Sequence, residues 1–173
     1  MTVAIRVFLA VLLTAFAAAS MTGCASYQLG RHEEPPFRTL YVSPVANDSF
    51  APQAQAVLSG QIADHFLRDG LVRISNGDSA DVTLEVRLVE YRQDTAATLA
   101  DDTTLAGVLR LELWADCTLR DNRTGQVYFE NRRVTAETRV YPRGRAQEVR
   151  DMEMPVLTGK LARRIGYEVL QVW

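Results

Sequence analysis

The side chains best equipped for chemistry in this chain are its arginines. Nineteen residues are cationic, and Lys160 is the only one that is not arginine. A guanidinium is a rigid planar fork that holds phosphate or carboxylate through two parallel hydrogen bonds. Arg132 and Arg133 are adjacent, Arg139, Arg143 and Arg145 follow closely, and Arg92 ends an earlier strand-like segment. Gathered at one end of a sheet, Arg92, Arg132, Arg133 and Arg139 would make a patch suited to a phosphorylated ligand. Taken singly, solvated arginines paired with Glu130, Glu137 and Glu148 are the simpler reading, because exposed ion pairs are common and weak. A GC-rich genome would account for the arginine bias itself.

Other chemistry finds little support. His32 and His65 have no Cys or His at metal-ligand spacing beside them, so no metal site is expected. Asp101-Asp102 sits in a polar stretch where neighbouring carboxylates are usually just solvated. The chain has no Gly-x-Ser-x-Gly, no glycine-rich phosphate loop and no His-Glu-x-x-His. Asn122-Arg123-Thr124 matches a glycosylation sequon but reads as a turn. The expectation is a protein that is not an enzyme and needs no cofactor. A formal net charge of -2 gives no field toward nucleic acid.

The two cysteines differ. Cys117 lies in an alternating apolar pattern and reads as a buried free thiol, so no disulfide framework is expected. Cys24 follows Ser20-Met21-Thr22-Gly23, after the apolar run Val7 to Ala19 and the lone charge of Arg6. A positive end, an apolar stretch and small residues at the cut are what an exported chain needs. Small residues ending in cysteine resemble the lipobox read by lipoprotein signal peptidase, with Met21 where Leu is usual. The apolar run is shorter than the roughly 20 residues of a spanning helix. Residues 1–23 are therefore expected to be a lipoprotein signal peptide, with lipid attached at Cys24. Stable anchoring takes more than one acyl chain, which a triacylated cysteine provides. Ala25 and Ser26 after the cysteine, rather than Asp, point to the outer membrane.

The elements that must position these groups follow in order. Residues 24–36 read as a tether ending in Glu33-Glu34-Pro35-Pro36, and residues 37–173 as one domain. A short strand is predicted from Thr39 to Val45. A helix from Pro52 to Arg68 follows, with Ala54, Leu58, Ile62 and Phe66 as its apolar stripe, Val57 beside them and Gly70 as its cap. Leu71 to Ser75 is a brief strand and Asn76-Gly77-Asp78 a turn. Three longer strand patterns come next. In the first, Val82, Leu84, Val86 and Leu88 alternate with polar residues, and Gln93 to Thr104 reads as a loop. In the second, Leu109, Leu111, Leu113, Ala115, Cys117 and Leu119 share a face opposite Arg110, Glu112, Trp114, Asp116 and Arg120. This is the clearest period-2 signal, one buried face and one wet face. After a turn at Asp121 to Gly125 the third strand changes phase near Asn131 to Arg133, which predicts a β-bulge. Tyr141 to Arg150 reads as a loop or ragged helix start. The last helix runs from Pro155 to Val172, with Leu157, Leu161, Ile165 and Val169 as its stripe. The order β-α-β-β-β-α predicts an α+β two-layer sandwich, two helices on one face of a mostly antiparallel four-stranded sheet.

This pattern resembles the LptE family of lipopolysaccharide-assembly lipoproteins. The residues that carry the resemblance are Cys24 followed by Tyr27-Gln28-Leu29-Gly30, then Thr39-Leu40-Tyr41-Val42, Asn47, Arg68-Asp69-Gly70, Asp81-Val82-Thr83-Leu84, Tyr91, and Thr124 to Asn131. Tyr27 stands one residue later than in the common Cys-Gly-Tyr form. The resemblance implies a non-enzymatic protein held inside or beneath the LptD β-barrel of the outer membrane, plugging it, helping it fold and engaging lipopolysaccharide. The four arginines singled out above rest on local pattern, not on a family motif. Tyr41 to Asn47 followed by a helix also looks like lipoproteins of the curli-pore or peptidoglycan-synthase-activator type, which act by protein–protein binding. Further alternating β-α units would favour that alternative; three consecutive long strands and one closing helix favour the first.

Overall fold

A computed structural model of the chain describes residues 36–98, 106–141 and 146–172. The expected signal peptide, Cys24, the expected tether up to Pro35, His32, Asp101-Asp102, Arg143 and Arg145 lie outside the described residues.

The order is β1 (Thr39–Val42), β2 (Ala46–Asn47), α1 (Pro52–Asp69), β3 (Arg73–Ile74), a 3-10 turn (Gly77–Ser79), β4 (Val82–Thr98), β5 (Ala106–Asp121), β6 (Val127–Val140) and α2 (Ala146–Leu170). After α1 the chain makes three long strands in succession and one closing helix. The α+β reading holds, but the sheet is larger and differently paired than expected. It has six strands in the order β3-β1-β4-β5-β6, with β2 also on β4. β1 runs parallel to both β3 and β4, and β2 parallel to β4. Only β4-β5-β6 is antiparallel. The sheet is thus mixed, not four-stranded and mostly antiparallel. Two-residue strands such as β2 and β3 carry no periodicity to read. The helix α1 returns the chain so that β1 and β4 align side by side, as a β-α-β crossover does.

Local chemistry explains the joins. Asn47 Oδ1 accepts from Ser49 N at 3.0 Å and Ser49 Oγ at 2.7 Å, turning the chain into α1. Pro52 begins the helix, where a missing N–H costs nothing. Gly70 ends it at φ 74°, its N–H on Phe66 O. Asp81 ties the start of β1 to the start of β4: its carboxylate accepts from the backbone N–H of Arg38 at 2.8 Å and of Thr39 at 2.9 Å. Those bonds, the Arg38 amide first, hold the Asp81 carboxyl below its ordinary value.

Two predicted boundaries move. The stretch from Gln93 to Thr98 is strand, not loop, because β5 pairs it out to Thr98 opposite Ala106. The last helix begins at Ala146 and runs through Pro155 rather than starting there. An interior proline costs one hydrogen bond and about 3 kcal/mol. Burial of Met154, Leu157, Leu161, Ile165 and Val169 against the sheet offsets that cost. The expected bulge is present: Cys117 faces Arg132 while Leu119 faces Phe129, so β6 carries one extra residue, and Asn131 sits at φ 47°.

Both helices lie on one face of the sheet. Their stripes Ala54, Leu58, Ile62, Phe66 and Leu157, Leu161, Ile165, Val169 are wholly buried against Leu84, Leu88, Leu113, Cys117 and Leu119. The helices approach closely at Gly166, where a Cβ would lie 2.0 Å from His65 Nε2. His65 packs there, with its ring 5.5 Å from that of Phe66. That is a packing role for this histidine.

Candidate functional site

Among the described residues, no helix lies over the other face of β4-β5-β6. The period-2 pattern of β5 puts Arg110, Glu112, Trp114 and Asp116 on this side, and the register places their neighbours. Asp116 faces Arg87 and Arg133, Trp114 faces Glu90 and Thr135, Glu112 faces Arg92 and Glu137, and Arg110 faces Asp94 and Arg139. A one-residue slip between Leu88 and Glu90 on β4 keeps Glu90 and Arg92 on this face.

Trp114 is the centre. The Arg92 guanidinium lies 5.3 Å from its ring centroid and the Arg133 guanidinium 5.9 Å. A cation within about 6 Å of an indole is drawn to its face. Each arginine also holds a carboxylate. Arg92 Nη2 is 2.7 Å from Glu90 Oε1. Arg133 grips Asp116 with both prongs, Nε to Oδ1 at 2.9 Å and Nη2 to Oδ2 at 3.1 Å. That fork holds the Asp116 carboxyl below its ordinary value, against a smaller opposing effect of burial. Near the β1 end, Ser43, Pro44, Glu85, Arg87, Thr118 and Asn131 line a cleft of about 230 Å³.

The four arginines singled out from sequence are not all brought together. Arg92 and Arg133 flank Trp114. Arg139 lies on the same face, exposed, opposite Arg110. Arg132 turns to the helix side, because it pairs with Cys117 in the register that runs unbroken from Val140, and neighbouring strand residues face opposite ways. Its Nη1 is 2.9 Å from Glu168 Oε2 on α2, and its guanidinium lies 4.5 Å from the Phe129 ring centroid. The face is therefore a lattice of paired charges, not a uniformly basic patch. Of the acids weighed in sequence as partners, Glu137 is on this face, whereas the arginines' contacts are to Glu90, Asp116 and Glu168.

Sequence reasoning passed over Trp114 as a site residue and the acids that partner the arginines. The parity of β5 was the signal for Trp114. No sequence signal says which residues of β4 and β6 fall beside it. Cys117, on the covered side, is a buried free thiol pushed up to about 12, mainly by loss of water around it. Among the described residues no three His, Cys, Asp or Glu side chains gather as a metal site would require. The arrangement is suited to binding: its guanidinium forks can trade a carboxylate for a phosphate without any change of backbone.

A family model described as LptE, lipopolysaccharide-assembly, matches residues 37–166. No curated protein sequence matches the chain. Several solved structures share its fold. The hypothetical protein CT253 from Chlamydia trachomatis superposes with a TM-score of 0.57 at 9% identity, covering 78% of this chain and 96% of that one. The protein XCC0632 from Xanthomonas campestris gives 0.53 at 9% identity, covering 81% and 88%. A minor lipoprotein from Acinetobacter baumannii gives 0.51 at 17% identity, covering 79% and 92%.

Proposed function

The chain belongs to the LptE family of lipopolysaccharide-assembly proteins, and from that premise we propose that it is an outer-membrane lipoprotein, anchored through Cys24, that partners and plugs an LptD-type β-barrel during lipopolysaccharide delivery. The match over residues 37–166 carries this reading, because it takes in every strand of the domain, the whole of α1 and α2 as far as Gly166. The role is one of binding and assembly, not catalysis. The ligand's phosphates meet Arg92 and Arg133 beside Trp114, with Arg139 further along the same face and Arg132 from the helix side. Arg92, Arg132 and Arg133 each release a carboxylate as they take a phosphate, so the site can pass a ligand on.

The test is affinity purification of the full lipoprotein from detergent-solubilised outer membranes, with partners identified by mass spectrometry. Recovery of one large β-barrel protein at near one to one is the expected result. Recovery of a peptidoglycan synthase and no barrel would overturn it and favour the synthase-activator type.

A further inference from the structure

The outer edge of a sheet presents unpaired N–H and C=O groups that template pairing with another strand. Here one edge is β3, two residues long, and the other is β6, with 14. The long edge is covered in an unusual way. Lys160 Nζ on α2 donates to Glu137 O at 3.1 Å and to Thr138 Oγ1 at 3.1 Å. One turn later, Arg164 Nη1 donates to Thr135 O. One turn later again, Glu168 receives Arg132 at 2.9 Å. Residues four apart form a single stripe along a helix, and this stripe runs along the edge of β6. Lys160 is the chain's only lysine. An ammonium with three donors on a flexible stem suits two acceptors set at different angles better than a planar fork does. Beside the edge, Arg133, Val134, Thr135, Arg164, Tyr167 and Glu168 line a cleft of about 350 Å³, and Tyr167 is 62% exposed.

The covered segment is complementary to itself. Let a second copy of β6 approach in antiparallel fashion about a two-fold axis at Thr135. Thr135 then faces Thr135 of the second copy, and Arg133 faces Glu137 of the second copy, twice by symmetry. Val134 lies opposite Ala136. The carbonyls of Thr135 and Glu137 already point outward, as the Arg164 and Lys160 contacts show. In an antiparallel strand the N–H of such a residue points the same way, so this register satisfies both the backbone ladder and the charges. Centring the axis on Glu137 or on Arg133 instead sets like charges face to face, which is unfavourable.

We propose that the outer edge of β6 is a self-pairing edge for a second copy of this chain, held closed by Lys160 and Arg164. Closure keeps single copies apart while the two cations occupy the carbonyls of Thr135 and Glu137. Neutralising or removing the cations opens the edge to a symmetric dimer.

The test is the mass of the full chain in detergent, by sedimentation velocity or light scattering. Wild type is expected to be a monomer, and Lys160→Met with Arg164→Met a dimer at the same concentration; methionine keeps the apolar stem and removes the donors. Adding Thr135→Pro removes the central N–H at an edge position that tolerates proline, and should restore the monomer. Acetylating the folded Arg164→Met chain neutralises Lys160 without a second mutation, shifts the population toward dimer, and decides alone if the double variant does not fold. A double variant that folds and stays monomeric, an acetylated Arg164→Met chain that stays monomeric, or association that survives Thr135→Pro would each overturn the proposal.

Discussion

On its covered side, β5 sets Leu109, Leu111, Leu113, Ala115, Cys117 and Leu119 under the helices, none more than 7% exposed. On its open side it sets Arg110, Glu112, Trp114 and Asp116 among charges from β4 and β6. The same backbone thus serves two kinds of energy. A buried leucine contributes about 1.5–3 kcal/mol through loss of contact with water, and it tolerates no exchange of partners. An exposed ion pair contributes roughly 0–1 kcal/mol, and its members can change partners with little consequence for the fold. Stability belongs to one face, and the capacity to take and release a charged ligand belongs to the other.

That contrast is breakable. Leu113→Ala, on the covered face, should cost about 2–5 kcal/mol through lost burial and the cavity left behind, read as a lower midpoint in denaturant unfolding. Full stability in that variant would mean the covered face is not the source of the fold's energy. Gly166→Ala tests the helix layer itself. A Cβ there meets His65 at 2.0 Å, so a loss of about 1–3 kcal/mol is expected from overpacking. Replacing His65 by Ala in the same chain should recover part of it. Arg133→Ala, on the open face, should leave the unfolding midpoint at neutral pH nearly unchanged. Its clearer signature is in acid. With its pKa depressed by Arg133, Asp116 contributes stability that is present above the ordinary carboxylate value of 3.8 and is lost as pH falls through the lower folded value. Arg133→Ala should remove that acid-side decline, and equal slopes for both proteins below pH 4 would show that the pair does no thermodynamic work.

The sequence makes the covered face far more legible than the open one. Spacing alone places Ala54, Leu58, Ile62 and Phe66, the stripe of α2, the Gly70 cap and the bulge near Asn131, because periodicity and φ-specific residues are local properties. Pairing is not local. The parallel placement of β1 between β3 and β4 depends on where α1 returns the chain, and β2 and β3 are too short to show a pattern. The extension of β4 through Gln93 to Thr98 depends on its neighbour, since these polar residues have no buried face of their own to announce a strand. Pro155 misleads in the opposite direction, because a local penalty is overridden by burial on either side of it. At the site, parity puts Trp114 on the wet face, but only register brings Arg92 and Arg133 to it, and the alternation that sets Arg133 there sends Arg132 to the other side.

Cys117 sits on the covered side of β5, fully buried, with its thiol pushed up to about 12. Its reactive thiolate is therefore almost absent while the chain is folded, and a thiol reagent reaches it only when β5 opens to solvent. The rate of its modification is then a clock on the opening of the sheet's central antiparallel strand. When reclosing is fast the clock reads the free energy of opening, and when the reagent outruns reclosing it reads the opening rate itself.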